Sequence, residues 1–172
     1  ELVGSPYNDR RQSCENVVAA LNKHFPNKKF ETLRDATWLE LEEVKPEISE
    51  EDYKRAHFVL GEKDRVLAVS DALEAGDYET VGKKMYETHE GLSKEYEVSC
   101  EELDYLVDIA RENGVTGSRI MGGGFGGCTI NLVKEELYDK FISDAKAKYS
   151  AKYGKEPKVY DVVISEGSRK IC

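Results

Sequence analysis

A run of glycines is the part of this sequence whose residue types and spacing are best suited to chemistry. Five of the six residues from Gly122 to Gly127 are glycine, the exception is Phe125, and Cys128 follows. Glycine loses more conformational entropy on folding than any other residue, so a run of this kind needs a geometric reason. Two reasons are common: positive φ angles in a tight turn, and close approach of bare backbone N–H groups to an anion.

The segments on either side of the glycine run exclude two well-known glycine motifs. Residues 115–121 and 129–133 are apolar and partly β-branched, as is typical of short strands, so the run joins strand to strand. Glycines 122, 124 and 127 match the spacing G-x-G-x-x-G, but a dinucleotide-binding motif opens a helix, and a Walker P-loop needs a Lys followed by Ser or Thr. Spacing alone leaves two interpretations open: a structural hairpin, and a backbone loop that faces a phosphate or substrate.

The other reactive side chains form no recognisable constellation. The histidines (His24, His57 and His89) lack the spacing of metal ligands, and the four cysteines are scattered without a C-x-x-C pair. No Ser-His-Asp or Cys-His arrangement can be assembled. Arg10 and Arg11 are suited either to phosphate binding or to surface and interdomain salt bridges. We therefore predict no metal ligand and no catalytic side chain in this sequence.

Composition limits the class of protein. The 172 residues can form one sizeable core, and 34 acidic against 25 basic side chains give a net charge of -9, which disfavours nonspecific nucleic-acid binding. No apolar run is long enough to cross a membrane, and no signal-peptide pattern is present. We predict a cytoplasmic protein with neither nucleic-acid nor membrane partners. The chain begins at Glu1 without a methionine, so we expect it to be a piece of a longer protein.

The elements that must position the glycine run are mostly helical. Apolar periodicity and capping residues predict helices over about 10–24, 38–44, 49–75, 78–92, 99–113 and 135–153, and strands over 115–121, 129–133 and 159–164. This order predicts an α+β fold with helices packed on an antiparallel sheet. Two details are specific: a capping box of Ser99 and Glu102, and an apolar stripe on the third helix, made of Val59, Leu60, Val66, Leu67, Val69 and Leu73.

Several motifs occur together in a fixed order along the chain. They are Y-N-D-R-R-Q-S-C at residues 7–14, D-Y at 77–78, E-Y-E-V-S-C at 95–100, and G-S-R at 117–119 leading into G-G-G-F-G-G-C at 122–128. Together they resemble the C-terminal half of the galactokinase family, within the GHMP small-molecule kinase superfamily, from about Leu2 to the end. Two positions depart from the family pattern: Glu101, where proline is frequent, and Met121, where threonine is frequent.

The resemblance implies a single GHMP kinase C-terminal domain over residues 1–172, with a ferredoxin-like core. It also implies ATP- and Mg2+-dependent phosphorylation of the anomeric hydroxyl of galactose. The sugar-binding acidic cluster, the Ser-rich phosphate loop, the catalytic aspartate and its arginine belong to an N-terminal half, whose motifs are absent from this sequence. The resemblance therefore implies that ATP and Mg2+ are held mainly by that half and that this chain alone is inactive.

Residue by residue, the resemblance assigns Tyr7 to sugar contact. It assigns Gly122, Gly123, Gly124, Phe125, Gly126 and Gly127 to a loop beside the phosphate loop and the active-site cleft, and we expect a side chain at Gly124 to project into that cleft. Two other interpretations remain open. One is a related sugar kinase that acts on an amino sugar or arabinose, and the other is a sugar sensor that binds sugar and ATP and regulates a transcription partner.

Overall fold

The computed structural model describes residues 6–162, which fold into six α-helices, two 3-10 helices and two strands. The 3-10 helices are Leu33–Asp35 and Lys45–Glu47. The other elements are α1 (Pro6–His24), α2 (Trp38–Val44), α3 (Glu50–Glu74), α4 (Tyr78–Lys94), α5 (Glu101–Glu112), β1 (Gly117–Met121), β2 (Cys128–Leu132) and α6 (Glu135–Tyr153). None of the helices in this range is both long and apolar enough to span a bilayer.

Helices α1, α2 and α3 enclose the larger core. Val17 and Leu21 of α1 are fully buried, which confirms the apolar face predicted for that helix. The remaining core residues come from α2, α3 and the connection after α1: Phe30, Leu33, Ala36, Leu41, Val44, Ala56 and Leu60. The connection is held in place by capping boxes at Thr32 and Thr37, which satisfy backbone N–H groups at the starts of short helices. Packing in this core fixes the position of α1, whose first turn contains Tyr7.

Strands β1 and β2 form an antiparallel sheet that carries the glycine loop at its turn. Gly117 pairs with Leu132 at one end, and Met121 pairs with Cys128 at the other. Helix α4 packs very closely on β1: a Cβ at Gly82 would lie 2.0 Å from Thr116 O, and a Cβ at Gly117 would lie 2.5 Å from the Gly82 Cα. Helices α5 and α6 pack together beside the sheet through Ile109, Ala110, Val115, Phe141 and Ala145. The predicted α+β class and the strand–loop–strand arrangement are confirmed.

The prediction of a third strand over 159–164 is wrong for residues 159–162, which are the part of it that the structure describes. Residues 159–162 form no strand, and residues 163 and 164 lie outside the described range. Val159, Tyr160 and Val162 are exposed, with no neighbouring strand beside them in residues 6–162. β-branched composition makes a segment compatible with a sheet but does not supply a pairing partner. The sheet of the described residues therefore has two strands.

Two local predictions are also corrected. The capping box of Ser99 and Glu102 is wrong, because α5 begins at Glu101 with Cys100 as its N-cap, and the Ser99 hydroxyl donates to Asp104 Oδ1 at 2.5 Å instead. The apolar stripe on α3 is buried only in part: Leu60 is buried, whereas Val66, Leu67 and Leu73 are more than half exposed. Helical periodicity indicates an apolar face, but it cannot show whether another element covers that face.

Helix boundaries otherwise follow the capping chemistry of the sequence. Helix α1 begins at Pro6 rather than near Arg10, and proline suits a first turn because its missing N–H would have no helical partner there. Ser49 and Asp77 cap α3 and α4 by accepting from backbone N–H groups three residues ahead. Gly76 and Gly114 have positive φ angles of 69° and 70° just beyond α3 and α5, as is typical of glycines that end helices.

Candidate functional site

The glycine loop between β1 and β2 has an unusual backbone. The φ angles are 81° at Gly122, 80° at Gly124, 59° at Phe125, 123° at Gly126 and 99° at Gly127. L-residues avoid most of this region, and Phe125 occupies the small left-handed area that they can reach. Glycine at the other four positions is therefore explained by conformation. Gly123 differs, because its φ lies outside the positive range.

One side of the loop is seated on the segment that follows α4. The Phe125 N–H donates to Val98 O at 2.7 Å. A Cβ on Gly124 would lie 2.2 Å from Val98 O and 2.7 Å from the Val98 Cβ, so the backbone at Gly124 lies directly on Val98. The expectation that a side chain at Gly124 would project into the cleft is therefore wrong. Gly124 is needed for packing within this chain.

The opposite side of the loop is open. A Cβ on Gly122, Gly123 or Gly126 would meet no atom within 4 Å. Within residues 6–162, the Phe125 amide donates a backbone hydrogen bond outside the sheet, and the amides of the five loop glycines do not. The loop therefore presents peptide groups without side chains over them. Neither a positive φ nor a neighbouring atom of the described chain explains glycine at position 123.

Arg10 joins the first turn of α1 to the glycine loop. Its Nε donates to Tyr96 O at 2.9 Å and its Nη2 to Glu97 O at 2.5 Å. The guanidinium carbon also lies 5.6 Å from the centre of the Phe125 ring, within the range of a cation–π contact. Arg10 therefore binds the segment on which the loop rests and covers the loop's one side chain. Its neighbour Arg11 is a surface residue that pairs with Glu15 at 2.8 Å.

Tyr7 lies on this side of the molecule, one helical turn before Arg10. Its side chain is 41% exposed, as a ligand-contacting phenol needs to be. The neighbouring Tyr96 is partly buried between Phe58, whose ring centre is 5.1 Å away, and Cys14, whose sulfur is 3.9 Å from the Tyr96 hydroxyl. Burial strongly raises the pKa of Tyr96, and the nearby Cys14 and Tyr7 raise that pKa further. The two tyrosines therefore form a pair in which Tyr96 is packed and neutral and Tyr7 is accessible.

Arg55 of α3 connects α3 to the start of α1 and to the segment that follows α4. Its Nη1 donates to Ser13 Oγ at 2.7 Å and to Asp9 O at 3.3 Å, while Nη2 pairs with Glu51. The Glu97 carboxylate, on a residue with a positive φ of 55°, lies 4.0 Å from Nη2. A buried guanidinium is costly unless it is paired and hydrogen-bonded, so these partners stabilise one arrangement of α1, α3 and residue 97. Arg55 was not predicted from the sequence; its signal was an arginine next to Ala56 on the buried face of α3.

The structure thus brings together the motifs that the sequence separates. The start of α1, the segment 95–98 and the glycine loop form one continuous surface, held by Arg10 and Val98. In residues 6–162, no group of three or more His, Cys, Asp or Glu side chains is placed to hold a metal. Each histidine instead has a carboxylate partner: His24 with Glu47, His57 with Glu95 and His89 with Asp104.

Comparison with known proteins gives this arrangement a family. Residues 69–151 match the family described as GHMP kinases C terminal. Within the superfamily, the chain matches the C-terminal part of galactokinases. It is 44% identical to the galactokinase of Clostridium beijerinckii and 39% identical to that of Thermotoga maritima, in each case over 99% of this chain. The alignments cover 43% and 46% of those relatives, so the chain spans less than half their length.

A solved structure supports the same assignment. The crystal structure of Lactococcus lactis galactokinase complexed with galactose superimposes with a TM-score of 0.78 at 29% sequence identity. The match covers 91% of this chain and 40% of the Lactococcus lactis chain. The helices and the two-stranded sheet described above therefore resemble the corresponding part of that galactokinase.

Proposed function

We propose that this chain forms the C-terminal domain of a cytoplasmic galactokinase, whose whole protein transfers a phosphoryl group from ATP to the anomeric hydroxyl of galactose. One observation carries the proposal: the sequence matches galactokinases over 99% of its length. The geometry supports it, because Arg10 and Val98 hold the helix that carries Tyr7 beside a loop whose one side chain is Phe125. The Lactococcus lactis galactokinase was crystallised in complex with galactose, and galactose is the sugar we propose here.

The open side of the glycine loop suits phosphoryl transfer for a physical reason. Catalysis of this reaction is mostly positioning and electrostatic stabilisation of charge on the transferred group. Fixed backbone dipoles provide such stabilisation without reorganisation, provided that they can come close to the reacting atoms. Gly122, Gly123 and Gly126 place no side chain between the loop and a reactant. We propose that this side of the loop faces the reacting phosphate and helps to exclude water from it.

The assignment of the metal and nucleotide sites is part of the proposal. Among residues 6–162, no group of three or more His, Cys, Asp or Glu side chains is placed to hold a metal. We propose that the catalytic carboxylate, the nucleotide-binding loop and the Mg2+ ligands belong to an N-terminal half, with which this domain closes the active site. Tyr7 would then contact the sugar. Arg10 would hold the start of α1, which carries Tyr7, in place beside the glycine loop.

The chain alone is expected to show no galactose-dependent turnover of ATP. The reason is that we propose only positioning groups in this chain and assign the metal ligands and the catalytic carboxylate to the N-terminal half. A coupled assay of ADP release, with and without galactose, measures this for the isolated chain and for the full-length protein. Activity in the full-length protein alone is the expected result. Activity of the isolated chain contradicts the division of labour, and a full-length protein that binds sugar and ATP without turnover contradicts the kinase.

Tyr7→Phe in the full-length protein is expected to raise the KM for galactose by about two- to tenfold, with little change in kcat. The substitution keeps the ring and removes one neutral hydrogen bond, which is worth roughly 0.5–1.5 kcal/mol. Tyr78→Phe is the matched control, because Tyr78 is also an exposed tyrosine in a first helical turn but belongs to α4. Steady-state kinetics of both variants decide the matter. Equal KM values for the two variants and the wild type mean that Tyr7 does not contact the sugar.

A further inference from the structure

His89 of α4 is buried against β1 and hydrogen-bonded at both ring nitrogens. His89 is only 5% exposed to solvent. The backbone N–H of Ile120 donates to His89 Nδ1 at 3.3 Å, and His89 Nε2 lies 3.1 Å from Asp104 Oδ1. The ring therefore connects α5 to the strand that leads into the glycine loop. From the sequence, this histidine was excluded as a metal ligand and had no other assigned role.

The two contacts define the protonation state of the ring. An amide N–H can only donate, so Nδ1 of His89 must be the bare nitrogen, and the ring proton lies on Nε2, from which it is donated to Asp104. Burial lowers the pKa of His89, which favours this neutral form. Asp104 is itself held by two serine hydroxyls, from Ser99 at 2.5 Å and Ser93 at 2.9 Å. The orientation of the imidazole is therefore fixed from its far side.

The position of this contact along β1 gives it a mechanical role. The contacts that α4 makes with the strand at positions 82 and 89 lie on one face of the helix, because these positions are two helical turns apart. Gly82 lies against Thr116 and Gly117 where the strand begins, and His89 bonds Ile120, two residues before the first loop glycine. The first contact is backbone packing, and the second is a directed hydrogen bond. The second contact therefore fixes the direction of the strand where the loop begins.

We propose that His89 is a positioning residue of the kinase active site: its Nδ1 atom sets the path of β1 and hence the placement of the glycine loop. This inference rests on the proposed function. His89 is buried under the strand and touches no reactant, so it acts through Ile120 and the loop. Its chemistry cannot be replaced by a similar apolar residue, because the Ile120 N–H would lose its acceptor inside the protein, which is costly.

Two amide variants of the full-length protein separate the two ends of the ring. In His89→Asn the side-chain oxygen reaches roughly the place of Nδ1 and can accept from Ile120, whereas the contact with Asp104 is lost. In His89→Gln the terminal amide reaches roughly the place of Nε2 and can donate to Asp104, but nothing accepts from Ile120. We expect His89→Gln to lower kcat by about tenfold or more and His89→Asn by less than about threefold, because small misplacements of positioning groups are costly.

Two further measurements distinguish positioning from simple packing. Hydrogen exchange of the 117–122 segment is expected to quicken in His89→Gln and to stay near the wild-type rate in His89→Asn. In the wild-type protein, nitrogen chemical shifts of the His89 ring are expected to show the Nε2–H tautomer. Equal kcat losses in both variants that track equal losses of melting temperature, or an Nδ1–H tautomer, would overturn the proposal.

The failure of this inference and the failure of the proposed function give different results. If the wild-type protein phosphorylates galactose and His89→Gln quickens exchange without lowering kcat, the positioning role is wrong and the kinase function stands. If the wild-type protein does not phosphorylate galactose, the proposed function fails and the role of His89 in a kinase site fails with it. Exchange and tautomer data then still report whether His89 holds the strand.

Discussion

Gly124→Ala is expected to lower the free energy of unfolding of the full-length protein by about 3 kcal/mol or more. Two costs add at this position. First, an L-residue at a φ of 80° is strained by roughly 1–2 kcal/mol. Second, a Cβ 2.2 Å from Val98 O would push the loop away from Val98, which costs about as much as overpacking a core. Urea unfolding of the variant and the wild type measures the change. A loss of activity should accompany the loss of stability.

Gly122→Ala is the matched control for that prediction. Its φ of 81° is almost the same, but a Cβ there meets nothing within 4 Å. This variant should show only the conformational strain, roughly 1–2 kcal/mol, which isolates the contribution of the Val98 contact in Gly124→Ala. Equal losses for the two variants would mean that the loop is not seated on Val98.

The glycine run illustrates how far the sequence predicts this site. The need for glycine, and for a strand on each side, could be predicted because both are properties of the local backbone. Which glycine serves packing could not be predicted, because the answer depends on Val98, a residue in a different segment. A side chain at Gly124 was consequently expected in the cleft, whereas that position faces the protein and Gly123 faces outward.

Arg10 shows the same limit for a charged side chain. The sequence left Arg10 and Arg11 equivalent, as an adjacent pair at the start of a helix. The difference between them comes from two carbonyl oxygens, 86 and 87 residues further along the chain, that only the folded arrangement brings within reach of Arg10. Resemblance to a family located the motifs on either side, but the bonds between them follow from tertiary structure. Arg55 was missed for the same reason.

The fold was predicted best where one helix determines its own ends. Helices α2 and α6 have the predicted bounds, because their apolar spacing and, at the end of α6, the left-handed Gly154 are local features. Two predictions failed because they depend on other elements: burial of the whole apolar stripe on α3, and a strand over 159–164. In both cases an apolar or β-branched pattern was present, and the partner needed to cover or pair with it was not found in the described residues.

Gly123 allows the two interpretations of the loop to be tested against each other. If the glycine run were only a structural hairpin, position 123 would tolerate a side chain, since its φ is unexceptional and a Cβ meets open space. If the loop faces a phosphate or substrate, a side chain at 123 would occupy the space that the reactant needs. Stability is expected to be unaffected in either case, so only activity separates the interpretations.

Gly123→Val in the full-length protein is therefore expected to lower kcat for galactose phosphorylation by on the order of a hundredfold, comparable with losing one oxyanion-type donor. Its free energy of unfolding should stay within about 0.5 kcal/mol of the wild type, as for other surface substitutions. Gly123→Ala should lie between the two in kcat, because a single methyl group keeps reactants at a smaller distance than an isopropyl group does. Steady-state kinetics and urea unfolding of the three proteins provide the measurement. Wild-type kcat in Gly123→Val would show that no reactant approaches this side of the loop, and the structural hairpin would then be the correct interpretation.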